Sequence, residues 1–192
     1  RQVPEAVFPG YWKAAKAMHI SQLLSLLQRR DIQQQEHIAL TPADTHYISS
    51  LKGGINALLY LALADPKVGG SFSDIRTDQI SSMHDVWGKF RSVGSLIDIA
   101  HNPMIHAIFA GGSYIQLVDD YEDRFADEQN GIVSPMTHAD GYAQRFRRTI
   151  PYQISYIRQL LNDAGADLEK TDEFAASLWM YTLKKILRIK AK

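Results

Sequence analysis

The chain has no cysteine. Disulfides, thiolate metal sites and cysteine nucleophiles are therefore excluded, and a cytoplasmic setting is compatible with that composition. It has no excess of either charge: 21 Lys plus Arg balance 21 Asp plus Glu. Nucleic-acid affinity needs a surplus of cations facing the phosphates, so no nucleic-acid partner is expected. It has no long apolar run. Leu58-Leu-Tyr-Leu-Ala-Leu-Ala64 falls far short of the ~20 residues of a membrane span, so no transmembrane span is expected. Alternation of β-branched residues is missing as well, which argues against a sheet. No glycine pair is followed by Lys-Ser/Thr, excluding a P-loop. Ser113, Ser134 and Ser155 lack the flanking residues of a nucleophile elbow. His101 and His106 are five apart and miss the i, i+4 geometry of a helical metal pair.

What is present reads as all-helical. A first helix over about residues 11–29 carries Met18, Leu23, Leu24 and Leu27, and ends in the polar stretch Arg29–Gln35. Thr41-Pro42 is a cap followed by proline at the first helical position, opening a second helix that runs to about Ala64. A third is expected from Ser73 or Thr77 to about Ala100. Asn102-Pro103 opens a fourth, which Asn130-Gly131 ends. A fifth covers about Ala139 to Asn162, kinked at Pro151, and a last one, capped by Thr171, covers Asp172 to Ile189. The 192 residues thus form one domain with a real core, a bundle of about six helices.

The fourth helix carries the chemistry. Asp119, Asp120, Glu122, Asp123 and Asp127 place five acids in nine positions. At about 100° per residue, with Asp119 as zero, Asp123 lies near ~40°, Gln116 near ~60°, Asp127 near ~80° and Asp120 near ~100°. Carboxylates sharing one stripe repel each other, and a bound Mg²⁺, which takes hard carboxylate oxygens, reverses that repulsion. Earlier on the same arc stand Ile105, Phe109 and Gly112. A greasy wall running into carboxylates is a layout for a hydrocarbon tail with a phosphate head. The alternative is a solvated acidic face on an ordinary amphipathic helix.

Gln116-Leu-Val-Asp119-Asp120-Tyr-Glu-Asp123, followed by Asn130-Gly131, resembles the second aspartate-rich motif of the class I isoprenoid synthases: prenyl diphosphate synthases, squalene and phytoene synthases, and terpene cyclases. The Asp119, Asp123, Asp127 spacing resembles the large-terpene synthases in particular. Tyr47-Ile-Ser-Ser-Leu-Lys52-Gly53-Gly54-Ile-Asn56 is similar to an earlier helix of that fold, which carries a diphosphate-binding Lys beside small residues. The resemblance implies the C-terminal part of the isoprenoid synthase fold. It also implies a Mg²⁺-dependent terpene or prenyl synthase that ionises an isoprenyl diphosphate, then cyclises or couples the allylic cation.

Under that resemblance Asp119 and Asp123 are catalytic, with Asp120 and Asp127 completing the metal ligands. Lys52, Asn56, Gln116, Arg124, Arg145 and Arg148 bind the diphosphate end, and Phe109 and Gly112 line the tail cavity. Each also has a plainer reading: Lys52 as a snorkelling side chain beside a packing glycine, the arginines as surface charge. No first aspartate-rich motif lies between Arg1 and Asp98. The chain is therefore expected to be the C-terminal portion of a longer enzyme, or one chain of two. The alternative is a non-catalytic helical partner, or a regulatory subunit of a heteromeric prenyl diphosphate synthase. A homo-oligomer is compatible with both. The basic run Lys184-Lys185-Ile-Leu-Arg188-Ile-Lys190-Ala-Lys192 suits a solvated terminal helix, a cap over the site entrance, or a helix lying on a membrane surface.

Overall fold

A computed structural model describes residues 8–138 and 141–187. It is all-α. Among the described residues there are nine α-helices: α1 (Phe8–Leu26), α2 (Arg30–Glu36), α3 (Pro42–Ala62), α4 (Pro66–Gly70), α5 (Met83–Lys89), α6 (Pro103–Gln129), α7 (Pro135–His138), α8 (Tyr142–Asp163) and α9 (Leu168–Leu187). Two isolated bridges, Arg29 with Ile132 and Phe72 with Ile97, are the only extended pairings described. No described helix is long and apolar enough to cross a membrane.

The long helices start where capping chemistry places them. The Thr41 hydroxyl accepts from the Asp44 amide, and the Asp44 carboxylate accepts from the Thr41 amide at 2.8 Å, a reciprocal capping box ahead of α3. The Asn102 side chain accepts from the amides of Met104 and Ile105 at 3.1 and 3.2 Å, with Pro103 first in α6. Gly131, at φ +69°, follows the end of α6.

Three expectations need correction. The polar stretch after α1 is itself a helix, α2, whose Gln33 side chain donates back to the Leu27 carbonyl at 2.7 Å. The expected third helix does not form as one rod. Its place is taken by the short α5 and two 3₁₀ turns, Thr77–Gln79 and Val93–Ser95, and the preceding stop at Asp65–Gly70 itself holds the short α4. The buried residues there, Phe72, Ile75, Val86, Phe90, Leu96 and Ile97, do not share one helical face. They are buried because the segment doubles back: Ser73 donates to the Leu96 carbonyl at 2.9 Å and Asp98 to that of Ser71 at 3.0 Å. Third, α9 is capped by Asp167, which accepts from the Lys170 amide at 3.1 Å, while Thr171 is buried inside the helix. Among the described residues the long helices α1, α3, α6, α8 and α9 make up the expected bundle, and the other four are short. The expected helix limits Ala139 and Ile189 lie outside the described residues. Pro151 sits inside α8, which continues on both sides of it.

Helix α6 is shared between two apolar cores. Its first half, through Ile105 and Phe109, packs with α1, α3 and α5. Its middle, through Tyr114, Leu117, Val118 and Tyr121, packs with Met136 of α7, with α8 and with Leu178 of α9. Whatever α6 presents on its remaining arc lies along the seam between these cores.

Candidate functional site

The site begins with the approach of α3 to α6. Gly53 and Gly112 meet at the crossing, where a side chain on either would strike the other's backbone. The Ser113 hydroxyl donates to the Ser50 carbonyl at 2.7 Å in the same contact. This closeness sets Ser49 and Lys52 of α3 against Gln116 and Asp120 of α6. Asp120 is only 9% exposed. Its Oδ1 accepts from Gln116 Nε2 at 2.8 Å, and its buried Oδ2 has no hydrogen-bond partner among the described residues. Burial pushes the Asp120 carboxyl up. The Ser49 hydroxyl, the Gln116 amide and the Lys52 charge pull against that, and the Asp119 charge adds to it.

Asp127, two turns along, is pushed up to about 6, chiefly by burial and then by the charges of Asp120 and Asp123. The Ser134 hydroxyl and Lys52 oppose the rise. Ser134 reaches this place because the chain after α6 is pinned to the α1–α2 turn: Arg30 donates to the Gly131 carbonyl at 2.9 Å and Val133 to that of Gln28 at 2.6 Å. The Gln28 side chain itself donates to Ser49 Oγ at 3.1 Å. Among the described residues Ser134 Oγ and His138 Nδ1, like Asp120 Oδ2, are buried with no well-formed hydrogen bond.

The expected single stripe of carboxylates is divided. Asp119 turns to α9, where the Tyr181 hydroxyl donates to its Oδ1 at 2.5 Å and Lys185 Nζ stands 3.3 Å away. Lys185 also pairs with Glu122 at 2.5 Å. Burial, and then the bond and charge of Asp119, raise the Tyr181 phenol. Asp123 is exposed between the two groups. The reason is geometric: an arc about 100° wide on one helix reaches two different neighbours. Asp120 and Asp127 interact with Lys52 of α3, and Asp119 with α9.

The other expected residues scatter. Lys52 is half-buried beside Asp120 and Asp127, but Asn56 is exposed. The Phe109 ring packs on Gly54, where a Cβ would lie 2.7 Å from its Cγ, so Phe109 belongs to the core. Arg124 donates to the Tyr121 carbonyl and lies over the rings of Tyr121 and Phe125 at 4.2 and 4.3 Å. Arg145 stands 6.0 Å from the Tyr142 ring, whereas Arg148 lines an open hollow with Tyr121, Gln144 and Arg147.

Below the carboxylates lies an apolar cavity of about 350 Å³. Its walls include Ala57 of α3, Met104, Ile108 and Ile115 of α6, and Leu161 and Phe174 from α8 and α9. Gly112 borders it too, and Lys170 is the one charged lining residue. Ile115 and Gly112 each stand four residues before a polar residue of the acidic arc, Asp119 and Gln116, a rise of about 6 Å.

Sequence reasoning did not single out Ser49 or Gln28, nor Tyr181 and Lys185 as partners of Asp119; Tyr181 was weighed only as one of several aromatics, more often core than function. They come from α3, the α1–α2 turn and α9, and the basic run holding Lys184-Lys185 had among its readings a cap over the site entrance. No protein-family model, curated protein or solved structure matches this chain.

Proposed function

We propose that the chain is the carboxylate-bearing helical domain of a Mg²⁺-dependent class I terpene or prenyl synthase. Its substrate is an isoprenyl diphosphate, which it ionises before cyclisation or coupling of the allylic cation. The observation that carries this reading is the apolar cavity that ends one helical turn short of Asp119 and Gln116, with Lys52 and Lys185 flanking the acids. A hydrocarbon tail fits the cavity and a charged head the polar end.

The metal fits part of the acidic set. Asp120, Asp123 and Asp127 offer hard oxygens. The unpartnered Asp120 Oδ2 and the raised Asp127 carboxyl both mark negative charge that is incompletely compensated. Asp119 is less suited, being held by Tyr181 and Lys185. Among the described residues no three acids or histidines stand grouped to grip an ion unaided. Mg²⁺ is therefore expected to bind weakly alone and cooperatively with diphosphate. When bound, it supplies charge neutralisation of the departing diphosphate. The chain's own share is to hold the tail between α3 and α9, place Lys52 toward the head, and keep water from the buried side of Asp120.

A second reading, a non-catalytic helical partner of a prenyl diphosphate synthase, is favoured by the cation already seated on Asp119. Calorimetry with Mg²⁺, with Mg²⁺ plus inorganic pyrophosphate, and with Mg²⁺ plus farnesyl diphosphate separates the two. Cooperative binding strengthened by the tail, followed by pyrophosphate release, supports the enzyme. Binding without turnover supports the partner. No binding under any of the three conditions sinks both the metal and the substrate assignments.

A further inference from the structure

Helices α8 and α9 pack together, with Arg158 pairing to Asp172 at 2.5 Å near one end of the hairpin. At the other end, Arg147, Ile150 and Pro151 of α8 line a shallow groove with Trp179, Thr182, Leu183 and Ile186 of α9. This end has two properties that soluble surfaces seldom combine. First, it leaves large apolar side chains in solvent: Tyr152 is 76% exposed, Met180 56%, Leu183 38% and Trp179 36%. Second, the two hairpin helices carry no negative charge there. From Tyr142 to Asn162 and from Phe174 to the end of the given sequence there is no Asp or Glu, while Arg145, Arg147, Arg148 and Lys184 are exposed. Among the described cations at this end, Lys185 is the one with acidic partners, Asp119 and Glu122 of α6. The sequence continues past the described residues with Arg188, Lys190 and Lys192.

We propose that this end of the α8–α9 hairpin docks on the surface of a membrane carrying anionic lipid. The charge pattern selects the occupant. A second copy of the same face would oppose cation to cation, whereas acidic headgroups meet every exposed charge with its opposite. Trp and Tyr rings, amphipathic at the ring edge, favour the headgroup level, and Met180 and Leu183 suit shallow insertion. The four-residue step from Trp179 to Leu183 puts both on one face of α9. Neither side chain is used by the carboxylate site, so the inference stands or falls separately from the proposed function.

Vesicle co-sedimentation tests it. The chain is expected to sediment with phosphatidylcholine–phosphatidylglycerol vesicles, to stay in solution with pure phosphatidylcholine, and to be released as salt is raised. Arg147→Gln with Arg148→Gln, and separately Trp179→Ser with Leu183→Ser, should each weaken partitioning roughly tenfold or more. A control at the exposed Tyr60 of α3, Tyr60→Ser, should leave it unchanged. Circular dichroism melts confirm that each variant is folded. Equal binding to neutral and anionic vesicles, no binding to either, or an equal loss in the control overturns the proposal. Sedimentation equilibrium showing a dimer that the Trp179 and Leu183 changes dissociate assigns the face to a second copy instead, and also overturns it.

Discussion

Gly53 and Gly112 seal the crossing of α3 and α6. A Cβ on Gly112 would lie 2.7 Å from Ala57 Cβ and nearer still to the Gly53 carbonyl, and one on Gly53 would lie 2.6 Å from Gln116 Cβ. The two backbones touch with nothing between them. Gly112 borders the apolar cavity, but its lack of a side chain is first a requirement of helix contact.

Gly112→Ala should therefore destabilise the fold by about 1–3 kcal/mol, the usual cost of overpacking. It should do so although alanine is intrinsically the better helix former. Gly70, at the end of α4, has nothing within 4 Å of its would-be Cβ, so Gly70→Ala serves as the neutral comparison. Urea unfolding of both variants checks this. If Gly112→Ala melts like the wild type, the crossing is looser than described and the residue is better understood as cavity lining.

Asp127 sets a pH dependence. Its carboxyl titrates at about 6 in the folded chain, against about 4 when unfolded. The folded state binds the proton more tightly, so this group lowers stability as pH rises from about 4 to about 6, and the whole penalty is present above that range. Asp127→Asn should raise stability at pH 7 by about 1 kcal/mol, allowing for solvent screening at a half-buried site. The gain should fade as pH is lowered to about 4. Thermal melts of both proteins across that range give the answer; a gain that grows on acidification contradicts the assignment.

The buried bond between the Tyr114 hydroxyl and Thr182 Oγ1, at 2.6 Å, joins α6 to α9. Thr182 Oγ1 also donates to the Leu178 carbonyl at 2.7 Å. The two deletions are therefore unequal. Thr182→Val strands a buried phenol and should cost about 1–3 kcal/mol, whereas Tyr114→Phe leaves Thr182 its carbonyl partner and should cost about 1 kcal/mol or less. Denaturant midpoints that reverse this order would show that the phenol finds another partner.

The helical class, α3, α6 and α8 were legible because local chemistry states them: Thr41-Pro42 and Asn102-Pro103 are caps that need no tertiary information. The stretch 71–100 was not legible. Its burial depends on Phe72 meeting Ile97, a pairing between residues distant in sequence that helical periodicity cannot express. The acidic residues themselves could be read from sequence, as could their shared arc. Their division between Lys52 and Lys185 could not, because helical angles on α6 do not say which neighbour stands at each edge. Asp120, one ligand among four in the sequence reading, proves to be the buried carboxylate, since α3 covers its edge of the arc.

The bridge between Arg29 and Ile132 has a kinetic consequence. It joins the turn after α1 to the strand-like residues before α7, across most of the chain that lies between them. Such a contact closes a loop of about a hundred residues, and its entropic cost falls once the α3–α6 crossing has shortened the path. It rests on few bonds, which makes it a natural point of sub-global opening. The amides of Arg30 and Val133 should then exchange with solvent faster than those of central α6. Such an opening is expected to move Ser134 away from its place near Asp127 and to admit solvent to the polar end of the site from the α7 side while the helix crossing stays closed.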